Sequence, residues 1–242
     1  MAVVASASEG LRAAPRATIL QLRAPGMTAR QLEATAMELV GASPVPVVIS
    51  SRCAVALASG AAGVNLPERD IAVQDARALL GQRLIGRSVH SLQSALDAER
   101  DGADFVIFGP VWPSESHAGT PPQGLEALAA VARAVRIPVL AIGGVTEERI
   151  AECEAAGAAG YAAIRLFQII KLQVNGKKIE LDGPTPLTAY LETLGVSPRA
   201  VAVEHNGMII ERDAYATTTL RDGDVMEIVR MVGGGSASIG QR

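Results

Sequence analysis

Short apolar runs alternate with longer Ala/Leu/Glu/Arg-rich stretches over residues 1–168. Runs of that length read as strands and the stretches between them as helices, the pattern of parallel β/α units. Strands are predicted at residues 18–23, 45–51, 63–67, 84–90, 105–111, 138–144 and 160–166. Thr28 and Thr146 stand where helices over 29–40 and 147–156 need a hydroxyl cap. Each predicted strand ends in polar residues or glycine: Arg23, Ser50-Ser51, Asn65, Ser88 with His90, Gly109-Pro110, Gly143-Gly144 and Arg165. A β/α barrel gathers its active site at those ends. An open doubly wound sheet, with its crevice at the same ends, is the alternative. These seven strands are one short of a closed barrel. Residues 2–6 are available as a first strand, but only about a dozen residues separate them from the next, short for a helical crossover. At the other end Leu166-Phe167-Gln168 runs into Ile169-Ile170-Lys171-Leu172 with no outer helix. The expected fold is α/β, a (β/α)8 TIM-type barrel that is thin or open at its first and last units.

The periodicity changes at Ile169. Residues 170–174 alternate, Asn175-Gly176 is a tight-hairpin signal, and residues 177–181 alternate back. Pro186-Leu187-Thr188 opens a helix over 189–194 that Gly195 ends. A strand follows at 200–204, then a second turn at Asn206-Gly207, then Met208-Ile209-Ile210. The last strand, 225–232, sets Val225, Glu227, Val229 and Met231 on one side and Met226, Ile228, Arg230 and Val232 on the other. A hairpin, a helix and further strands is the order of an α+β, ubiquitin-like β-grasp domain. Behind it stands Gly233-Gly234-Gly235, a thin backbone thread free to take positive φ. It reads either as a flexible linker or as a carrier whose glycine carboxylate is presented to an activating enzyme. The expected division is a barrel over 1–168, a β-grasp domain over 169–235 and a disordered tail over 236–242.

Composition narrows the function classes. With 49% hydrophobic and 19% charged residues the chain is globular rather than disordered. A net charge of −3 gives no electrostatic case for nucleic acid or an anionic membrane. No apolar run reaches membrane-spanning length, and residues 1–6 lack the basic start of a signal peptide. Cys53 and Cys153 are far apart, without metal-type spacing. Reduced thiols and a cytoplasmic location are expected.

Several motifs then occur in a familiar order. Ile19-Leu20-Gln21-Leu22-Arg23, Gly63-Val64-Asn65-Leu66, Ile85-Gly86-Arg87-Ser88-Val89-His90, Phe108-Gly109-Pro110-Val111-Trp112-Pro113-Ser114, Pro121-Pro122-Gln123-Gly124 and Pro138-Val139-Leu140-Ala141-Ile142-Gly143-Gly144 span residues 17–168. This stretch resembles the thiamin phosphate synthase/TenI family of barrels. The resemblance implies one of two activities. The synthases join a pyrimidine pyrophosphate to a thiazole phosphate with magnesium, whereas TenI-type thiazole tautomerases move a proton to aromatise a thiazole phosphate carboxylate. It also implies phosphate binding by Gly143 and Gly144, with Arg23, Ser88 and Ser114 as further ligand contacts and Arg165 either a cation for the site or solvent-facing.

The departures favour the tautomerase. Ser50-Ser51 replace an Asn-Asp pair of the synthases, leaving Asp70 as a weak magnesium candidate. Ala24-Pro25 and Ser114-Glu115-Ser116-His117 each lack an expected lysine. His117 is the candidate proton carrier, since imidazole titrates near neutral pH. Family tautomerases carry their histidine earlier in this loop, where Pro110 stands, so a solvated loop histidine is the competing reading. His90 is read as structural. No cofactor is expected for a tautomerase, and magnesium only for a synthase.

The second module resembles the ThiS sulfur carriers through Val174-Asn175-Gly176-Lys177, Val201-Ala202-Val203-Glu204-His205-Asn206-Gly207, Leu220-Arg221-Asp222-Gly223-Asp224 and the glycines that follow. The resemblance implies a terminal glycine thiocarboxylate, here on Gly234-Gly235, made with a ThiF-type adenylating enzyme and delivered to thiazole synthase. Residues 236–242 block that carboxylate, so cleavage after the glycines is expected. The expected function is a sulfur carrier fused to a thiazole tautomerase-like barrel. The alternatives are an active thiamin phosphate synthase and an inactive docking barrel. Association into a homo-oligomer is left open.

Overall fold

Eight parallel strands lie side by side in chain order. They are β1 (Ala2–Val4), β2 (Leu20–Leu22), β3 (Val47–Ser50), β4 (Gly63–Leu66), β5 (Leu84–Val89), β6 (Phe105–Phe108), β7 (Val139–Ile142) and β8 (Gly160–Ala162). The computed structural model describes residues 1–114, 121–181 and 183–230. The chain divides into two compact units, Met1–Gln168 and Ile169–Arg242.

The first unit closes on itself. Ala2 bridges Ala163 in parallel, Val3 N–H donates to Ala163 O at 2.9 Å, and Ala163 N–H donates to Met1 O at 3.1 Å. Residues 2–6 therefore do supply the first strand, over Ala2–Val4, and the barrel is not left open there. The short crossover is met by shortening the helix. α1 spans only Ala7–Ala13 and continues as a 3-10 turn over Ala14–Arg16. Ser6 caps it, accepting from Glu9 N–H at 3.2 Å. After β8 comes a 3-10 turn, Arg165–Phe167, rather than an outer helix, as the sequence indicates.

Strand alternation sorts the side chains into two cores. Residues such as Val4, Leu20, Leu22, Ile49, Leu66 and Phe108 pack against the helices, whereas Val3, Val48, Phe105, Ile107 and Ala162 form a separate cluster in the lumen. The helices are α2 (Ala29–Ala42), α3 (Cys53–Ser59), α4 (Val73–Leu80), α5 (Leu92–Arg100), α6 (Gly124–Ala134) and α7 (Glu147–Ala155). Thr28 and Gln31 form the full capping box of α2. Thr146 occupies the N-cap position of α7 with extended backbone, but its side chain makes no capping hydrogen bond.

The second unit has a sheet in the order β10-β9-β15-β12-β13, from β9 (Ile170–Val174), β10 (Lys177–Leu181), β12 (Val201–His205), β13 (Met208–Ile209) and β15 (Val225–Arg230). β9 and β15 pair in parallel at the centre, and the other pairs are antiparallel. Joining the first and last strands of a unit this way makes it a β-grasp. α8 (Leu187–Thr193) covers one face through Leu187 and Leu191, which are fully buried beside Val203 and Met226. A two-strand pair, β11 (Thr185–Pro186) with β14 (Thr219–Leu220), is an element that the sequence pattern does not announce.

Both tight turns use Asn-Gly with positive φ: Asn175 at 48° and Gly176 at 75°, Asn206 at 53° and Gly207 at 81°. Their side chains reach across the sheet. Asn175 Nδ2 donates to Ile228 O at 3.1 Å, and Ile228 N–H donates to Asn175 Oδ1 at 2.7 Å. No helix among the described residues is long and apolar enough to cross a membrane.

Candidate functional site

All eight strands run the same way, so their C-terminal ends share one rim of the barrel. On this rim the loops after β6 and β7 interlock. Val111 N–H donates to Ile142 O at 2.8 Å and Trp112 N–H donates to Gly143 O at 3.0 Å. Gly143 and Gly144 adopt φ of 92° and 67°. A side chain would fit at neither: a Cβ on Gly143 would lie 2.5 Å from Pro110 Cβ, and one on Gly144 would lie 2.6 Å from Trp112 Cβ. Arg149, on the first turn of α7, donates to Gly144 O at 2.7 Å and lays its guanidinium 4.8 Å from the Trp112 ring centre. The result is a fixed glycine turn at the start of a helix, where amide groups and the helix dipole favour an anion.

The rim at β3 and β4 is built differently. Ser51 and Arg52 take positive φ, 67° and 21°, as the chain turns from β3 into α3. The Ser51 hydroxyl donates to Asp70 Oδ2, and Ile71 N–H donates to Asp70 Oδ1 at 2.8 Å. Arg87 pins the same loop, donating to Ile71 O and Glu68 O at 2.7 Å each. Asp70 is thus already engaged through both oxygens. Among the described residues no group of three acidic, histidine or cysteine side chains could hold a metal ion. Ser51 and the Ile71 amide therefore compete with any cation for Asp70.

His90 Nδ1 lies 2.9 Å from Glu68 Oε2, and His90 N–H donates to Glu68 Oε1 at 3.2 Å. Burial pushes the Glu68 carboxyl up, but hydrogen bonds from Ser94 and from the His90 ring and amide outweigh it and hold it below its ordinary range. The pair ties the end of β5 to the loop after β4.

Of the other expected contacts, Ser88 is half-buried near the end of β5 and accepts from Asn65 Nδ2 at 3.1 Å. Arg23 is exposed just beyond β2, with its N–H donating to Val4 O at 2.8 Å. Ser114 is half-buried on the loop after β6, and Arg165 is exposed in the 3-10 turn after β8. His117, Gly234 and Gly235 lie outside the described residues. Sequence reasoning missed Arg149, and it placed Asn65 at a strand end without giving it a role. Arg149 stands three residues after the Thr146 cap, but only folding brings Trp112 beneath it.

Comparisons with known proteins agree with this architecture. Residues 2–167 match the family described as Thiamine monophosphate synthase, and residues 164–235 match the ThiS family. A protein of Chloroflexus aurantiacus called thiamine-phosphate synthase is 38% identical over 152 residues, which cover 61% of this chain and 70% of that protein. Putative thiamine-phosphate synthase 2 of Aquifex aeolicus is also 38% identical over 152 residues, covering 62% of this chain and 82% of its own length. Among solved structures, a thiamine phosphate pyrophosphorylase from Pyrococcus furiosus superposes with a TM-score of 0.63 at 29% identity, covering 69% of this chain and 85% of that one. The chain therefore belongs, through residues 2–167, to the thiamine monophosphate synthase family, and it carries a ThiS-family domain over residues 164–235.

Proposed function

We propose that the chain serves thiamin biosynthesis at its thiazole stage. In this reading the barrel binds a thiazole phosphate and the second domain carries the sulfur from which such a thiazole is built. The observation that carries it is the Gly143-Gly144 turn ahead of α7, rigid, side-chain-free and locked by Trp112 and Arg149. A phosphate monoester suits that turn. Thiazole phosphates are the ligand that both activities of the resembling family share.

Two chemistries use such a ligand. The names of the relatives support coupling to a pyrimidine pyrophosphate. The engagement of Asp70 by Ser51 favours the other, isomerisation, because a proton shift needs no metal. There, His117 takes a proton from one ring position of the thiazole tautomer and returns one elsewhere, leaving the ring aromatic. The experiment runs the full chain with thiazole tautomer, following aromatisation by absorbance, and in parallel with pyrimidine pyrophosphate, thiazole phosphate and magnesium. Loss of aromatisation by about 10²-fold or more in His117→Ala supports isomerisation. Magnesium-dependent thiamin phosphate supports coupling. No turnover of either kind leaves the barrel a docking scaffold.

For the second domain, the partners are a ThiF-type adenylating enzyme and thiazole synthase. Adenylation needs a free carboxylate on Gly235. A chain ending there is expected to exchange one oxygen for sulfur by mass when incubated with the adenylating enzyme, ATP and a sulfur source, whereas the chain with residues 236–242 is not. Tethering raises the local concentration of the barrel beside the enzyme that the carrier serves.

A further inference from the structure

Among the described residues, Asn65 Oδ1 is the one buried side-chain nitrogen or oxygen without a hydrogen-bond partner. Asn65 is 3% exposed and lies on the lumen side of β4. Leaving a buried carbonyl oxygen unpaired costs about 1–3 kcal/mol, which no contact of that atom within the barrel offsets. The other end of the amide is engaged: Nδ2 donates to Ser88 Oγ at 3.1 Å.

That bond has a directional consequence. A hydroxyl has one hydrogen. When its oxygen accepts the hydrogen bond from Asn65 Nδ2, its own hydrogen is left to point away from Asn65. Ser88 is half-buried near the C-terminal end of β5, where the rim opens. Asn65 is in register with Gly86 of β5, and a Cβ at Gly86 would lie 2.8 Å from Asn65 Oδ1 and 2.2 Å from the Phe105 ring. Only glycine there leaves room for both.

We propose that Asn65 is a positioning residue that fixes Ser88 as a hydrogen-bond donor into the barrel mouth, selecting ligands that present an acceptor-only atom such as a heteroaromatic ring nitrogen. The inference rests on the thiazole phosphate reading above and adds how the ring, rather than the phosphate, is recognised.

The test is calorimetric titration of the full chain with thiazole phosphate and, separately, with inorganic phosphate. Asn65→Asp keeps the shape but offers only acceptors, so it draws the Ser88 hydrogen inward. Asn65→Asp and Ser88→Ala are each expected to weaken thiazole phosphate binding about tenfold. The double variant is expected to bind no more weakly than Ser88→Ala alone, and inorganic phosphate binding is expected not to change. Asn65→His, which keeps an N–H donor, should hold affinity within about threefold; it is the variant to read if Asn65→Asp fails to fold by thermal melting. Unchanged binding in Asn65→Asp, a loss that persists in the Ser88→Ala background, an equal loss for inorganic phosphate, or failure of Asn65→His to retain affinity would each overturn the inference alone. Absence of thiazole phosphate binding by the unaltered chain would instead overturn the reading of the barrel, and this inference with it.

Discussion

Gly144 combines two demands that no other residue meets. Its φ of 67° strains any side chain, and Trp112 occupies the space a Cβ would need. Gly144→Ala is expected to lower stability by about 1–3 kcal/mol and to weaken thiazole phosphate binding at least tenfold, read by thermal melting and calorimetry. Ser51 is the opposite case, a side chain carried at a φ of 67°. Asp and Asn accept positive φ more readily than most residues, and the Ser51 hydroxyl already touches Asp70. Ser51→Asp would set two carboxylates side by side, which repel unless a cation intervenes. It is expected to tighten magnesium binding about tenfold in calorimetry, with no tightening if the two carboxylates turn apart. The glycine pair could be placed at a strand end from the sequence, but its phosphate reading came from the resemblance, since Gly-Gly after a strand is by itself more often a tight turn. The Trp112–Arg149 stack was not legible, since it depends on two loops meeting that are well separated in the chain.

At the level of elements, periodicity located seven of the eight barrel strands and overstated their lengths. Residues 18–23 became Leu20–Leu22 and 160–166 became Gly160–Ala162, because apolar character outruns ladder hydrogen bonding. β11 and β14 were invisible, as two-residue strands have no period to read. Asp224 shows what held the second domain together beyond pattern. It is buried, and it accepts from Arg221 N–H at 2.7 Å and Asn206 Nδ2 at 2.9 Å, with His205 Nε2 at 2.9 Å. Burial pushes its carboxyl up, yet the hydrogen bonds from Asn206, His205 and Arg221 prevail and leave it below the ordinary range. A group depressed on folding contributes stability above its unfolded value and loses it as pH falls through its folded value. Asp224→Asn should therefore cost about 1–3 kcal/mol near neutrality and show a shallower loss of stability in acid than the unaltered domain, measured by denaturant unfolding across pH. Parallel acid slopes would remove Asp224 from the account.

Across the whole molecule, each unit fills its own core, one built around the barrel strands and one around α8 and its sheet. The chemistry proposed for each is correspondingly independent: a rim that would hold a small phosphate, and a carrier that would need no catalytic side chain of its own. In the proposed function the two are joined by succession, since the carrier's sulfur would enter the kind of ring the barrel would receive. The least conspicuous element of the barrel sets the condition for all of this. β1 has three residues, yet it alone stands between β2 and β8. Deleting residues 1–5 would expose two raw sheet edges at once, each a template for pairing with a neighbouring chain. Such a truncation is expected to scatter light and elute as large aggregates, so that three residues decide whether the barrel stays in solution at all.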